Sequence, residues 1–406
     1  MIPQVNLLDI TYTLPKEKIA FFPLEDRDNS KLLVFTNKTI TDTSFLHLSD
    51  FLDENYALVF NNSKVIHARL LLQNQYGAKI ELLLLEPVYP TRDIASAFFY
   101  SGVVAWKCLV GNAKKFRDAI SFDVIVKILD KDKVVNVTAE KGDRVGDLFL
   151  VTFSWEDETI SLSAWLDAYG KIPLPPYIKR EANLLDEVHY QTIYASQKGS
   201  VAAPTAGLHF SERVLQSLQR KNIELKNITL HVGASTFLPI TTDSVIEHKM
   251  HQEQMIIAKD VVDFFLENKY KKIIAVGTTV ARTLESLFII GAKLFLNLQQ
   301  PFFVEQFEIY DKLQLQRVPV DAALTALAHY FKNNNLHEIK AATSLMILPH
   351  YRHKITKGLI TNFHQPKSTL LLLIASYVGE EWRRIYEHAL LHDYRFLSYG
   401  DSNLYL

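Results

Sequence analysis

The sequence predicts an α/β main domain interrupted by an inserted all-β, barrel-like domain, on three observations. Strands expected at Ala57–Phe60, Ile228–Val232 and Lys271–Val276 each pass directly into small or polar residues, and strands ending in such loops belong to α/β folds that bind ligands at strand carboxyl ends. From residue 65 the pattern changes: Ala68–Leu72, Ala78–Leu85, Trp106–Val110, Ile120–Ile128, Val134–Thr138 and Asp147–Phe153 are short, β-rich and separated by turn residues, as in a small sandwich or barrel. At 406 residues the chain is long for one domain. The expected division is 1–64 with 155–406 for a discontinuous α/β catalytic domain, and 65–154 for the insertion.

Composition narrows the classes. Apolar residues make up 48% and charged residues 22%, the balance of an ordinary soluble globular protein. Forty-four Lys and Arg oppose 45 Asp and Glu, a formal charge of -1, so any surface for a polyanion must be a local patch. Cys108 is the single cysteine, which excludes an intrachain disulfide and a thiolate zinc cluster. The start of the chain lacks a signal-peptide pattern, and the longest apolar run, Leu370 to Ala375, is too short to cross a bilayer. A cytoplasmic protein without a membrane partner is expected.

In chain order, Pro23–Ser30 is a polar turn before a strand at Leu32–Phe35, and Arg27 with Asp28 reads most simply as a local ion pair of little worth. Ala57–Phe60 leads into Asn61-Asn62-Ser63-Lys64. Within the β-rich block, Lys114-Lys115-Phe116-Arg117 is a basic turn. Ile172-Pro173-Leu174-Pro175-Pro176-Tyr177-Ile178-Lys179-Arg180 is expected to be extended, because proline fixes φ and disfavours helix before it. Asp186, His189, Tyr190, Gln191 and Tyr194 follow. The stretch from Gly199 to Phe210 consists almost wholly of small residues until Leu208 and His209. Small side chains suit a backbone that approaches a ligand, and equally a tight turn before the helix that Ser211 begins. Lys271–Val276 ends in Gly277-Thr278-Thr279, where a hydroxyl would cap the helix carrying Arg282 and Glu285. Strand, Gly-Thr turn and helix together make an anion-friendly amide cluster. Residues 292–342 carry no chemical signal, and an apolar helix begins at Leu370.

Several chemistries are weighed on spacing alone. His248 and His251 would share a helix face, but no H-E-x-x-H pattern or Cys ligand accompanies them, so no metal site is expected. Gly-x-Ser-x-Gly is absent, and Ser200 and Ser235 have no assignable base. Lys367-Ser368-Thr369 mimics the tail of a P-loop, but Pro366 stands where glycine is needed. Residue types and spacing reach an enzyme-like pocket built from several loops, and no further.

Gly199–Phe210, Thr229–Gly233, Glu247–His251, Ala275–Thr279, Thr361–His364 and Tyr394–Asp401 together resemble one motif set. Arg27-Asp28 with Ser30, Lys64 with Ala68–Leu70, and Pro173–Ile178 belong to it. The resemblance is to the S-adenosylmethionine:tRNA ribosyltransferase-isomerase family of queuosine biosynthesis, and it covers almost the whole chain. It implies transfer of the ribosyl part of S-adenosylmethionine to 7-aminomethyl-7-deazaguanine in tRNA, with rearrangement to an epoxycyclopentane and loss of adenine and methionine. It also implies an α/β domain interrupted by a β-barrel, a monomer, no metal, and S-adenosylmethionine as a consumed cosubstrate rather than a cofactor. Such chemistry needs a base for the carbon beside the sulfonium and a dry pocket.

The candidates for proton handling are His209, His231, His248 and His251, with Glu247 and Asp28. Those for substrate contact are Arg27, Arg69, Thr205, Gly207, Gly233, Gly277, Thr278, Thr279, Arg282, Asn362, His364 and Lys367. For tRNA phosphate, Lys179 and Arg180 are favoured over Lys114–Arg117, Tyr351–Lys354 and Trp382–Arg384. For each, a plain structural hydrogen bond is an equal reading. Ser235, His350 and Lys31 replace the family's usual Gly, Gly and Arg. Two other functions stay open: a paralogue acting on another acceptor, and a non-catalytic tRNA-binding protein. The motif loops on both sides of the β-rich block are expected to line one cleft.

Overall fold

The computed structural model describes residues 2, 3, 5, 10–129, 131–233 and 244–406. Ser235 therefore lies outside the described residues. Its strands are β1 (Lys31–Thr36), β2 (Thr39–Ser44), β3 (Tyr56–Asn61), β4 (Ser63–Val65), β5 (Arg69–Gln73), β6 (Lys79–Tyr89), β7 (Val103–Gly111), β8 (Ile120–Ile128), β9 (Lys131–Val145) and β10 (Leu148–Ser154). Then come β11 (Gln197–Ser200), β12 (Glu224–His231), β13 (Glu253–Ala258), β14 (Lys272–Val276), β15 (Phe303–Val304), β16 (Glu338–Thr343), β17 (Thr356–Asn362) and β18 (Ser402–Tyr405).

The large sheet is mixed, in the order β15-β16-β13-β12-β3-β14-β17-β18-β1-β2. Its centre, β12-β3-β14-β17, is parallel throughout. His231, Asn61, Val276 and Asn362 therefore finish at one edge of the sheet. The register brings the chain back there, because β18 runs antiparallel to β17 with Ser402 opposite Asn362. β1 lies parallel to β18 with Leu32 opposite Ser402, so Ser30 and residues 394–401 reach the same edge.

Ala57–Phe60 of β3 and Ile273–Val276 of β14 are continuous apolar runs because both faces of the sheet are covered there. Ala57, Val59, Ile273 and Ala275 join one apolar cluster with Val280, Leu284 and Phe288 of the helix Thr278–Phe295. Leu58, Phe60, Ile274 and Val276 join another with Val214 and Leu218 of the helix Glu212–Arg220. Ser211 caps that second helix, accepting from the Val214 amide at 3.3 Å, and Val214 and Leu218, four apart, form its buried stripe.

The six-stranded antiparallel sheet, β5-β6-β7-β10-β9-β8, is barrel-like, with β5 and β8 approaching each other at its ends. Alternate residues such as Leu70, Leu72, Leu82, Trp106, Val137 and Phe153 point into its core. Phe116 of the basic turn is buried among them, leaving Lys114, Lys115 and Arg117 at the surface. The helix Leu162–Tyr169 adds Leu162, Trp165 and Leu166 to this cluster, so the packing continues past residue 154.

Three local expectations change. The segment 172–180 is not wholly extended: the Ile178 amide donates to the Pro175 carbonyl at 2.9 Å, closing a turn. No threonine hydroxyl caps the helix Thr278–Phe295; its cap position is Gly277. Residues 292–342, silent in sequence, finish that helix, add β15 and β16 to the sheet, and form the helix Val320–Asn333 packed against it. The crossing is close, since a Cβ on Gly291 would lie 2.4 Å from the Ala323 carbonyl oxygen.

Candidate active site

A cavity of about 730 Å³ opens at the carboxyl edge of the parallel strands. One wall is Ala202–Ala206, and another is Gly277-Thr278-Thr279 after β14. Thr361, Asn362, His364 and Gln365 after β17, with Ser368, Leu397, Ser398 and Tyr177, complete it. The two loops that the sequence expected to share a cleft, Gly199–His209 and Gly277–Thr279, meet here. Gly277 makes the sharp turn from strand to helix at φ +102°, a conformation side-chain-bearing residues rarely adopt. The helix it opens is 18 residues long, and its first amides have no intrahelical acceptors. No Asp, Glu, Lys or Arg is among the lining residues.

Behind the wall runs a buried polar chain. The Asn362 side-chain amide donates to the Leu397 carbonyl at 3.2 Å and to His209 Nε2 at 3.1 Å. Nε2 thus accepts, the proton sits on Nδ1, and Nδ1–H donates to Ser30 Oγ at 2.8 Å. Burial, with Arg395 and Arg27 nearby, pushes the His209 pKa down to about 3, so the ring is neutral at physiological pH. Asn362 Oδ1 is buried with no hydrogen-bond partner among the described residues. His364 is the one imidazole in the lining. Its Nε2 lies 2.8 Å from Thr361 Oγ1, and burial lowers its pKa to about 3.

His231 ends β12 one residue before the lining residue Val232. Burial lowers its pKa to about 4, and neither ring nitrogen has a hydrogen-bond partner among the described residues. Gly199 at φ +145° makes room for it, since a Cβ there would sit 2.4 Å from the ring. Gly207 serves packing: a Cβ would meet the Tyr194 hydroxyl at 2.0 Å. Gly233, like Gly207, is not part of the lining.

Other sequence candidates lie elsewhere. Residues 247–252 form turn and coil rather than helix, so the shared face expected for His248 and His251 does not form, and neither they nor Glu247 line the cavity. Arg27 and Asp28 do not pair with each other. Arg27 donates to the Gln191 and Val188 carbonyls at 3.0 and 3.2 Å. Asp28 is buried and takes two bonds from Arg213, at 2.7 and 3.1 Å, and one from Ser211. Those bonds overcome the burial that would raise its pKa and hold it below the usual carboxylate value, leaving an anchor rather than a base. Arg69 pairs with Glu81 on the barrel at 2.7 Å, and Arg282 pairs with Glu253 in the core at 2.8 Å. Glu285 is an internal hub, accepting from Tyr351, Lys354, Ile355 and Thr356. Lys367 is exposed outside the lining, and so is Lys179. Arg180 is committed to buried Asp186 through bonds of 2.6 and 2.8 Å. Of the further basic patches, Arg383 and Arg384 pair with Glu380 and Glu381.

A second cavity of about 290 Å³ adjoins the first, with Ser398 lining both. It is cationic, lined by Arg27, His189 and Arg395 with Ser30, His209 and Tyr399. Sequence reasoning missed Ser398, Gln365, Ser368, Arg395 and His189 as lining residues. Arg395 and Ser398 lie within the motif Tyr394–Asp401 and Gln365 and Ser368 just beyond Thr361–His364, but strand pairing is what carries these motifs to the edge. Among the described residues, the group able to hold a metal is Asp42 with His388 and His392 on the surface, and none of the three lines either cavity.

Comparison with known proteins decides the family. A family model described as Queuosine biosynthesis protein matches residues 7–405. The chain belongs to that family. Curated relatives of this queuosine family include the S-adenosylmethionine:tRNA ribosyltransferase-isomerase of Aromatoleum aromaticum, 36% identical over 98% of this chain and 96% of that one. The protein of the same name from Trichlorobacter lovleyi is 34% identical over 98% of both chains. A crystal structure of S-adenosylmethionine tRNA ribosyltransferase from Thermotoga maritima aligns over 98% of this chain and all of that one, at 25% identity and a TM-score of 0.46.

Proposed function

We propose that the chain is an S-adenosylmethionine:tRNA ribosyltransferase-isomerase that moves the ribosyl group of S-adenosylmethionine to 7-aminomethyl-7-deazaguanine in tRNA, forming epoxyqueuosine and releasing adenine and methionine. The observation that carries this reading is the near full-length match to relatives of that name, on a chain whose motif loops line one uncharged cavity. S-adenosylmethionine occupies that cavity as a consumed cosubstrate, with no metal or further cofactor, and the enzyme acts as a cytoplasmic monomer. No helix among the described residues is long and apolar enough to cross a membrane.

In this reading Thr205, Thr278, Thr279 and Asn362 Oδ1 take the nucleoside's donors and acceptors, and the helix-start amides take the methionine carboxylate. The sulfonium acidifies its neighbouring carbon, and a neutral imidazole is the form able to take its proton. His364 fills that role because it is the imidazole in the lining. His209, with both nitrogens engaged, positions Asn362. The decisive assay incubates the protein with S-adenosylmethionine and tRNA bearing the aminomethyl base, and follows adenine release. Wild type should release adenine in proportion to tRNA. His364→Gln should abolish release while S-adenosylmethionine binding stays within a few-fold. No release by the wild type would reject the function, and full release by the variant would reject the base.

A further inference from the structure

The second cavity, with an apolar rim at its mouth, lies beside the cavity assigned above to the cosubstrate. Leu24 and Pro23 line the cavity on one side, and just before them Phe22 is 56% exposed and Phe21 39%. On the other side stands the short helix Leu184–His189, with His189 facing the cavity and Leu184, Leu185 and Val188 in solvent. Arg27 ties the two sides together through the Val188 and Gln191 carbonyls. Arg180 braces the rim: its Nε donates to the Phe21 carbonyl at 3.1 Å, and its guanidinium lies 4.3 Å from the centre of the Phe22 ring. One face of Phe22 is therefore held, while the ring stays half open. Inside, Arg395 meets Asp401 at 3.3 Å through one nitrogen of its guanidinium.

We propose that this rim and cavity dock an unpaired nucleotide of the tRNA, its base stacked on Phe22 and a backbone phosphate held by Arg395 and Arg27. The inference rests on the tRNA substrate proposed above and assigns the surface that receives it. Single-stranded RNA is bound by aromatic faces beside cationic pockets, and the two features lie side by side here. The main cavity is lined by no charged side chain, whereas the second cavity carries two arginines and a histidine. Ser398 on the shared wall lets a nucleotide here present its neighbour to the main cavity. In this arrangement Arg180 acts through Phe22 rather than through a phosphate.

The test uses Phe22→Ala and Arg395→Gln in the full chain, titrated with tRNA bearing the aminomethyl base at several salt concentrations, and separately with S-adenosylmethionine. Loss of one stacked base should weaken tRNA binding about tenfold without changing the salt slope. Arg395→Gln should weaken it and lower the slope by about one unit or less. S-adenosylmethionine affinity should stay within twofold for both. A selective loss of S-adenosylmethionine affinity in Arg395→Gln would overturn the proposal and make this the carboxylate subsite, and unchanged tRNA binding in both variants would place the RNA elsewhere. Failure of the wild type itself to bind this tRNA would instead reject the function beneath the proposal.

Discussion

Replacing Asp186 tests whether the wall of the second cavity is held by one buried carboxylate. Its side chain is fully buried and takes Arg180 at 2.6 and 2.8 Å, the Tyr399 hydroxyl at 2.6 Å and the Asn183 amide at 2.8 Å. Asp186→Ala removes all four acceptor contacts and leaves a guanidinium only 20% exposed without its counter-charge. Breaking one side of a buried pair costs about 3–5 kcal/mol. At about 2.1 cal/mol/K per residue, 406 residues give an unfolding entropy near 0.85 kcal/mol/K, so Tm should fall by about 4–6 °C. A second readout comes from pH. Burial alone would raise the Asp186 pKa, but the bonds from Arg180 and Tyr399 win and hold it below the ordinary aspartate value. A depressed carboxylate stabilises the fold above its unfolded pKa, near 4, and that contribution is lost as pH falls below it. Differential scanning fluorimetry from pH 7 to pH 3 should therefore show the Asp186→Asn penalty shrinking toward the acid end. A penalty below about 1 kcal/mol at pH 7, or one independent of pH, would refute the reasoning.

Gly277→Ala has space for its Cβ, the nearest atoms being 3.7 Å away, but φ +102° should cost about 1–3 kcal/mol and weaken S-adenosylmethionine binding measured by calorimetry. His350 stands at φ +67°, so His350→Gly should raise stability by about 0.5–1 kcal/mol in urea titration, relief of left-handed strain exceeding the added chain entropy. Adenine release should survive exhaustive EDTA treatment; loss that zinc specifically restores would bring Asp42, His388 and His392 into the mechanism. His209, His364 and His231, whose pKa values sit at about 3, 3 and 4, bind protons readily only when unfolded, so stability should fall as pH drops from about 6.5 toward 3. His209→Gln should flatten that limb of the pH curve.

Much of the architecture was legible because the central strands announce themselves. Ala57–Phe60 and Ile273–Val276 are continuous apolar runs, and only strands covered on both faces need to be so. The barrel-like sheet showed itself through short β-rich runs separated by turn residues, and in the structure Leu70 and Leu72 turn inward and Leu71 outward. Residues 292–342 were silent because the helix Val320–Asn333 gains its place from a crossing at Gly291 and Ala323, a contact with no local signature. The site was legible where a motif needed an unusual backbone, as at Gly199 and Gly277. It was less legible at the charged candidates: Asp28, named for proton handling, and Arg180 and Arg282, named for ligand contact, each have partners within the protein. A sequence displays the charge but not the partner 6 or 185 positions away that cancels it.

That cancellation explains how one edge of the sheet can serve two unlike substrates. A sulfonium cosubstrate carries charges of both signs and would be mispositioned by a net field, and its cavity is walled by hydroxyls, amides and neutral rings. RNA needs a cation, and the uncommitted guanidinium nitrogens of Arg395 stand in the neighbouring cavity. The Ser30–His209–Asn362 chain separates the two, and the same arginines help keep His209 uncharged. A protonated ring there would put a fixed positive charge behind Asn362 and oppose the sulfonium at short range, where low dielectric makes repulsion costly. In the arrangement proposed above, a neutral His209 would let the cationic cavity receive RNA and the uncharged cavity receive the nucleoside across the wall at Ser398.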